Sequence, residues 1–176
     1  MAHFTPIVFV DIFDLAASLR ERMGLFKPDR VGEHILPIRG NRKDTDPAED
    51  NFVGYANVAK WVELKNALSR IKRLGDERLG EVEVGRIFLE MIAPTLNPGP
   101  WRREIDPYFE RFTRLHLPIR TNPAAMMLAW TGSEAPEVAH LRPGHLTIIN
   151  VRVPHTSINL GEWPRIHLVI DFRKKA

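Results

Sequence analysis

The chain has 176 residues, a formal net charge of +3 at pH 7 and no cysteine. This length is enough for one domain with a sizeable hydrophobic core, so we predict a single domain over residues 1–176. The absence of cysteine excludes disulfides and thiolate metal sites, so any metal has to be bound by histidine, carboxylate or water. A hydrophobic fraction of 44% and a charged fraction of 27% exclude a disordered or repetitive chain.

Basic residues are spread along the chain, and the only run of three is Arg173-Lys174-Lys175. A nucleic-acid-binding protein is expected to show a basic stripe with interleaved aromatic residues, so we expect no nucleic acid as a partner. The apolar run from Pro6 to Val10 is too short for a membrane span or a signal-peptide core. We therefore expect a cytoplasmic protein that does not enter a membrane, and its oligomeric state stays open.

The first 80 residues are predicted to supply supporting helices. A helix is predicted to start at Asp11 or Asp14 and to end near Met23. The strongest helical pattern covers Asn57 to Leu74, with Asn57 as its cap, because apolar residues recur there at helical spacing. Residues 41–50 read as a charged loop, and no helix is predicted after Leu74.

Several segments are predicted to be strands, because β-branched, aromatic or alternating residues are bounded there by turn signals. They are Phe4–Val10, His34–Arg39, Val82–Met91, Phe112–Arg120, Ala125–Thr131, Leu146–Val153 and Ile166–Phe172. Short strands separated by frequent turns, without helices between them, are typical of a jelly roll. The predicted fold class is therefore mainly β, with its core at about residues 82–173.

The segment from His140 to Phe172 is predicted to form a β-hairpin that carries functional groups. A turn signal at Pro143-Gly144 precedes a β-branched strand, and a second turn is expected between Asn159 and Pro164. The last strand then alternates polar and apolar residues. This segment joins predicted strands, turns and titratable side chains in one unit.

Two predicted strands carry an arginine and a histidine separated by one residue. Alternation places Arg114 and His116 on one face of the first strand. Arg165 and His167 share a face of the other strand in the same way. A lone charge in the middle of a strand is costly to bury, so each arginine needs an anionic partner, for which a bidentate carboxylate is suitable.

The sequences RLHLPI…TNP and PGHLTIINVRVPHTSINLGEWPRIHLVIDF resemble the aspartyl/asparaginyl β-hydroxylase-like branch of the iron(II)- and 2-oxoglutarate-dependent oxygenases. The resemblance is specific over Phe112 to Phe172. It implies a cupin-like double-stranded β-helix. It also implies that Arg114, His116 and Arg165 bind 2-oxoglutarate.

The same resemblance assigns the metal ligands. His155 takes the place of the distal histidine of the family. The family's HxD motif is altered here, because alignment at Pro107-Tyr108 puts Arg102 where the histidine is expected and Glu104 where the aspartate is expected. An arginine at that position would repel a metal cation, or would recruit an anionic substrate or cofactor.

Three interpretations of the metal site stay open. In the first, Glu104 or Asp106 joins His155 in a site with one histidine, which gives the predicted ligands His155, Glu104 and Asp106. In the second, His145 or His116 replaces the missing histidine, since neutral imidazole is a common ligand for iron and zinc. In the third, the metal has been lost.

The leading functional prediction is an oxygenase with Fe(II) and 2-oxoglutarate as cofactors, which hydroxylates a small molecule, an amino acid or a peptide. The alternative is a catalytically silent cupin-like protein that binds a small dicarboxylate or a related anion. The sequence does not identify the substrate.

Overall fold

The structure is a computed structural model that describes residues 3–28, 33–41, 52–54, 58–130, 132 and 134–175. The helices in this part of the chain are α1 (Phe13–Leu19), a 3-10 helix (Arg20–Leu25), α2 (Val62–Leu79) and α3 (Tyr108–Arg111). The strands are β1 (Phe4–Phe9), β2 (Lys27–Pro28), β3 (His34–Asn41), β4 (Phe52–Gly54), β5 (Val82–Ile92), β6 (Thr113–Arg120), β7 (Ala125–Ala129), β8 (Glu137–Ala139), β9 (His145–Ile149), β10 (His155–Asn159) and β11 (Arg165–Lys174). The predicted mainly β fold is confirmed. None of the described helices is long and apolar enough to cross a membrane.

The strands form two antiparallel sheets. The large sheet has the order β1-β9-β6-β11-β5-β3-β2, with β4 paired to β3, and the small sheet has the order β10-β7-β8. An apolar cluster joins β1 and β9 of the large sheet to β7 of the small sheet. Its members are Phe4, Tyr108, Phe109, Phe112, Met127, Ala129, Leu141, Ile149 and Val151. The two sheets therefore face each other, as in a jelly roll.

The main hydrophobic core lies on the other face of the large sheet, beneath α1 and α2. It includes Leu15, Leu19, Leu64, Ile71, Leu89, Leu115, Leu117 and Leu168. Because side chains alternate along a strand, Arg114 and His116 of β6 point away from this core, toward the small sheet. The fold thus places the predicted polar groups between the two sheets.

The predicted hairpin from His140 to Phe172 is wrong. Strand β9 pairs with β1 and β6, β10 pairs with β7, and β11 pairs with β5 and β6, so the chain crosses from the large sheet to the small one and back. The predicted strand over Leu146–Val153 ends at Ile149, because residues 151 and 152 form a turn. This turn is what lets His155 begin a strand of the other sheet.

The helix predictions were correct in position but not at the ends. The helix predicted over Asn57–Leu74 is α2, which ends at Leu79 before Gly80, whose φ of 84° is the left-handed conformation that glycine tolerates. The expectation of no helix after Leu74 is wrong, since α3 forms one turn before β6. The predicted cap Asn57 and residues 42–50 of the predicted charged loop lie outside the described residues.

Gly85 of β5 lies against the stacked, buried rings of Tyr108 and Phe112. A Cβ atom at Gly85 would overlap the Tyr108 hydroxyl and lie 2.7 Å from a ring carbon of Phe112. We expect Gly85→Ala to lower the free energy of unfolding by about 1–3 kcal/mol, the usual cost of overpacking. Gly54→Ala is the matched control, because a Cβ there meets nothing within 4 Å. Equal urea midpoints for the two variants would contradict this packing.

Candidate functional site

Three buried side chains that can bind a metal meet on the inner face of the large sheet. They are Glu90 of β5, His116 of β6 and His167 of the intervening strand β11, where His167 lies directly opposite Glu90. Each offers a ligand atom within 4.8 Å of those of the other two, and no other group of this kind occurs in the described part of the chain. All three are at most 4% exposed. Two histidines and one carboxylate are the donor set of many non-haem iron sites.

The protonation states of this group suit a metal. Burial lowers the pKa of His116 to about 3 and lowers the pKa of His167 well below its ordinary value. Burial alone would raise the pKa of Glu90, but the charges of Arg165 and Arg102 lower it to about 2. At neutral pH the two imidazoles are therefore neutral and the carboxylate is ionised. The Nδ1 atoms of His116 and His167 lie 3.2 Å apart, so one of them donates a proton to the other.

Arg165 at the start of β11 lies beside this group and is 1% exposed. Its Nη2 donates to a carboxylate oxygen of Glu90. Its Nε and Nη1 are buried and have no hydrogen-bond partner among the described residues. Buried donors without a partner are costly, and a bound anion would satisfy them. An anionic partner was predicted for this arginine. Glu90 is such a partner for Nη2 but not for Nε and Nη1.

Arg114, in contrast, has a complete partner within the protein. Its Nε and Nη2 donate to the two carboxylate oxygens of Asp171 at 2.9 and 3.0 Å. A carboxylate oxygen of Glu104 lies 3.7 Å from its Nη1. An anionic ligand was predicted because a buried arginine needs an anionic partner, and Asp171 is that partner for Arg114. Arg114 therefore gives no further support for a bound cofactor at this position.

Arg102 is the residue that the sequence resemblance aligns with a histidine ligand. Its backbone forms an isolated antiparallel bridge with His155. Its guanidinium reaches Glu33 at 2.8 Å and Glu90 at 3.4 Å. A positive charge that is held next to the predicted metal position opposes the binding of a divalent cation there.

His155 has the protonation pattern of a metal ligand. Its Nδ1 lies 2.9 Å from the carbonyl oxygen of Val153. A carbonyl only accepts hydrogen bonds, so Nδ1 carries the proton and Nε2 has a free lone pair. Burial also lowers the pKa of this imidazole. His155 is therefore neutral and suitable as a ligand.

The two carboxylates predicted to join His155 have other contacts. Asp106 accepts a hydrogen bond from the backbone N–H of Tyr108 at 2.9 Å and lies 3.5 Å from Arg86. Glu104 faces Arg114. Within the described residues, His155, Glu104 and Asp106 do not form a group of three mutually close ligand atoms. Their role as metal ligands stays a prediction, and the neighbouring Arg102 makes the fit to a divalent metal poor.

A cavity of about 320 Å³ lies beside this network and is lined by charged residues, including Glu33, Arg39, Glu90, Arg102 and Arg114. This volume is at the small end of the range for ligand sites. Glu90 and Asp171, which contact the arginines of this network, were not among the residues predicted from the sequence. The signal was present, since each is an isolated carboxylate in an otherwise apolar strand segment, FLEMI and LVIDF.

No family model matches the chain. Among curated proteins, an L-proline cis-4-hydroxylase from Rhizobium meliloti (strain 1021) is 33% identical over 67 residues. The match spans 38% of this chain and only 22% of that relative.

Solved structures resemble almost the whole chain. An oxidoreductase of the 2OG-Fe(II) oxygenase family from Burkholderia pseudomallei has a TM-score of 0.70 at 12% identity, and the match covers 98% of this chain and 86% of that one. A prolyl-4-hydroxylase from Pseudomonas putida has a TM-score of 0.59 at 16% identity, with 99% and 94% covered. HygX from Streptomyces hygroscopicus, solved with nickel and 2-oxoglutarate bound, has a TM-score of 0.59 at 10% identity, with 98% and 83% covered. These matches confirm the double-stranded β-helix fold, and the aspartyl/asparaginyl branch stays a prediction.

Proposed function

We propose that this chain is an iron(II)- and 2-oxoglutarate-dependent oxygenase that hydroxylates a small molecule, an amino acid or a peptide. The observation that carries the proposal is the buried Arg165, whose Nε and Nη1 have no partner in the described residues, next to two neutral histidines and an ionised carboxylate. The matches to a proline hydroxylase and to 2-oxoglutarate oxygenase structures support this choice among anion-binding functions.

The residues of the site would divide the binding between them. Arg165 would hold the distal carboxylate of 2-oxoglutarate through its two free nitrogens. His116, Glu90 and His167 have the donor types that hold iron. When bound, iron would activate oxygen, which is the oxidant, and the oxidative decarboxylation of 2-oxoglutarate to succinate and carbon dioxide would supply two of the electrons that reduce it. The barrel keeps these buried groups away from bulk water.

The cavity lining favours a substrate that carries both signs of charge. Arg102 presents a cation and Glu33 an anion on the wall of the cavity, 2.8 Å apart. A zwitterionic amino acid, or a peptide with charged side chains, would complement both groups by opening or extending this pair. The cytoplasmic location expected from the sequence remains a prediction.

Replacing Arg165 tests the cofactor site. We expect Arg165→Ala to weaken 2-oxoglutarate binding by about 1.5–3 kcal/mol, because a hydrogen-bonded charged group is lost. Arg120→Ala is the matched control, since Arg120 is exposed at the end of the neighbouring strand β6, opposite Ile166 in the register of the sheet. Calorimetric titration measures both variants, with circular dichroism as the check that they fold. If the unmodified chain gives neither heat nor a thermal shift with 2-oxoglutarate, with or without iron, the proposal fails.

A catalytically silent anion-binding barrel is the second candidate function. The observation that favours it is Arg102, whose cation lies at the family's first ligand position and is held by Glu33 and Glu90. Metal analysis of protein purified without oxygen separates the two candidates. Stoichiometric iron supports the oxygenase, whereas 2-oxoglutarate binding without any metal supports the silent barrel.

A further inference from the structure

We infer that a second cavity of the barrel binds a small carboxylate with an apolar body. The cavity has a volume of about 340 Å³ and lies where α3, the start of β6 and the end of β9 meet. It shares only Arg114 with the charged cavity beside Glu90. The inference goes beyond the proposed function and does not depend on it.

The walls of the second cavity are mostly apolar. Four of the residues that line it belong to the apolar cluster between the two sheets: Phe109, Phe112, Ile149 and Val151. The cavity therefore reaches from the surface into this cluster. A ligand with a phenyl ring or a short alkyl chain would bury apolar surface there, and a ring would also contact the two phenylalanine rings.

The polar groups around the cavity can donate hydrogen bonds, and among the described residues no aspartate or glutamate lines it. The guanidinium of Arg152 is exposed and has no ion pair or hydrogen bond with any described residue. Asn150 accepts the Arg152 backbone N–H with its Oδ1 at 3.1 Å, so its Nδ2 still has protons to donate. Thr113 is exposed, and its hydroxyl can donate as well. An anionic acceptor complements this set of groups.

Arg152 is the cation that is available to the ligand. Arg114 also lines the cavity, but its bidentate pair with Asp171 already balances its charge. The hydrogen bond between Asn150 and the Arg152 N–H closes a turn that holds Arg152 beside the cavity. One available cation matches one carboxylate, whereas a doubly charged phosphate would keep an unbalanced charge next to apolar walls.

Both parts of the ligand are needed for binding. An ion pair with a single exposed arginine contributes little, so the apolar body has to supply most of the affinity. The carboxylate then distinguishes this ligand from a neutral molecule with the same body. The cavity volume is near the lower limit for ligand sites, which restricts the body to about one ring or a short chain.

Calorimetric titration of the whole chain with hydrocinnamate tests the inference. We expect one molecule to bind per chain, and Arg152→Gln to weaken the affinity about tenfold or more, since a hydrogen bond to a charged group is lost. Arg142→Gln is the matched control, because Arg142 is also exposed but does not line the cavity. Arg142→Gln should bind hydrocinnamate as the unmodified chain does.

Two further probes separate the contributions of charge and body. Acetate, which lacks the ring, should not displace hydrocinnamate. Hydrocinnamamide, which lacks the charge, should bind the unmodified chain and Arg152→Gln equally. Nuclear Overhauser contacts between the ring protons of hydrocinnamate and the methyl groups of Ile149 should locate the ligand in this cavity.

Three results would overturn the inference. They are an absence of hydrocinnamate heat, an equal affinity in Arg152→Gln and the unmodified chain, and binding that is lost in Arg165→Ala but kept in Arg152→Gln. The last result would place the probe at the proposed cofactor site. Binding of 2-oxoglutarate should be unchanged in Arg152→Gln, so this inference and the proposed function can fail separately.

Discussion

Replacing Asp171 with alanine should lower the free energy of unfolding by about 3–5 kcal/mol, the cost of removing one partner from a buried ion pair. Asp171 is 0% exposed and lies opposite Arg114 in the register of β11 and β6. Its two oxygens accept hydrogen bonds from the Arg114 guanidinium, and the Tyr108 hydroxyl also bonds to it. The substitution leaves a buried guanidinium without its main counter-ion. Urea unfolding measures the loss.

Two comparisons show whether burial causes this loss. Glu77→Ala removes an exposed partner of Arg73 on α2 and should cost no more than about 0.5 kcal/mol. The double variant Arg114→Met/Asp171→Leu removes both buried charges and should be more stable than Asp171→Ala. Equal stability of Asp171→Ala and Glu77→Ala would contradict the role of this pair in the barrel.

Acidification should destabilise the protein steeply below about pH 6.5. The ordinary histidine pKa of 6.5 applies in the unfolded chain, whereas burial lowers the pKa of His116 to about 3 in the folded state and also lowers that of His167. The unfolded state therefore binds more protons as the pH falls, so stability is complete above pH 6.5 and is lost below it. Two such histidines give a slope of up to about 2.7 kcal/mol per pH unit.

Glu90 adds to the same trend at lower pH. The pKa of Glu90 is about 2 in the folded state, whereas its ordinary value of 4.5 applies in the unfolded chain. The unfolded chain therefore takes up a further proton below about pH 4.5. Urea midpoints between pH 7 and pH 4 measure the slope, and His116→Gln should reduce it by about 1.4 kcal/mol per pH unit. A slope that does not change in His116→Gln would show that this imidazole is not held neutral by the fold.

Local patterns in the sequence predicted much of the fold. Alternation correctly placed Arg165 and His167 on one face of a strand, and most predicted strands occur in the structure within a few residues. Strand partners were not predictable, because pairing depends on residues far apart in the chain. The failed hairpin from His140 to Phe172 shows this, since β9 and β11 lie in the same sheet with β6 between them.

The sequence indicated which strand faces carry arginines and histidines, but it did not identify the counter-ions of the arginines. The burial of Arg114 and Arg165 correctly indicated anionic partners, yet the sequence could not show that Asp171 and Glu90 supply them in whole or in part. Cross-strand register decides this, because Asp171 faces Arg114 only once β11 lies beside β6. The proposed metal position depends in the same way on Glu90 of β5 facing β11.

The conversion of 2-oxoglutarate to succinate tests the proposed oxygenase most directly. The chain, purified without oxygen and loaded with Fe(II), is exposed to oxygen and 2-oxoglutarate, and succinate is measured over time. We expect iron-dependent succinate formation that is lost in Arg165→Ala and kept in Arg120→Ala. A chain that binds 2-oxoglutarate and iron but forms no succinate above the iron-only control would contradict this expectation.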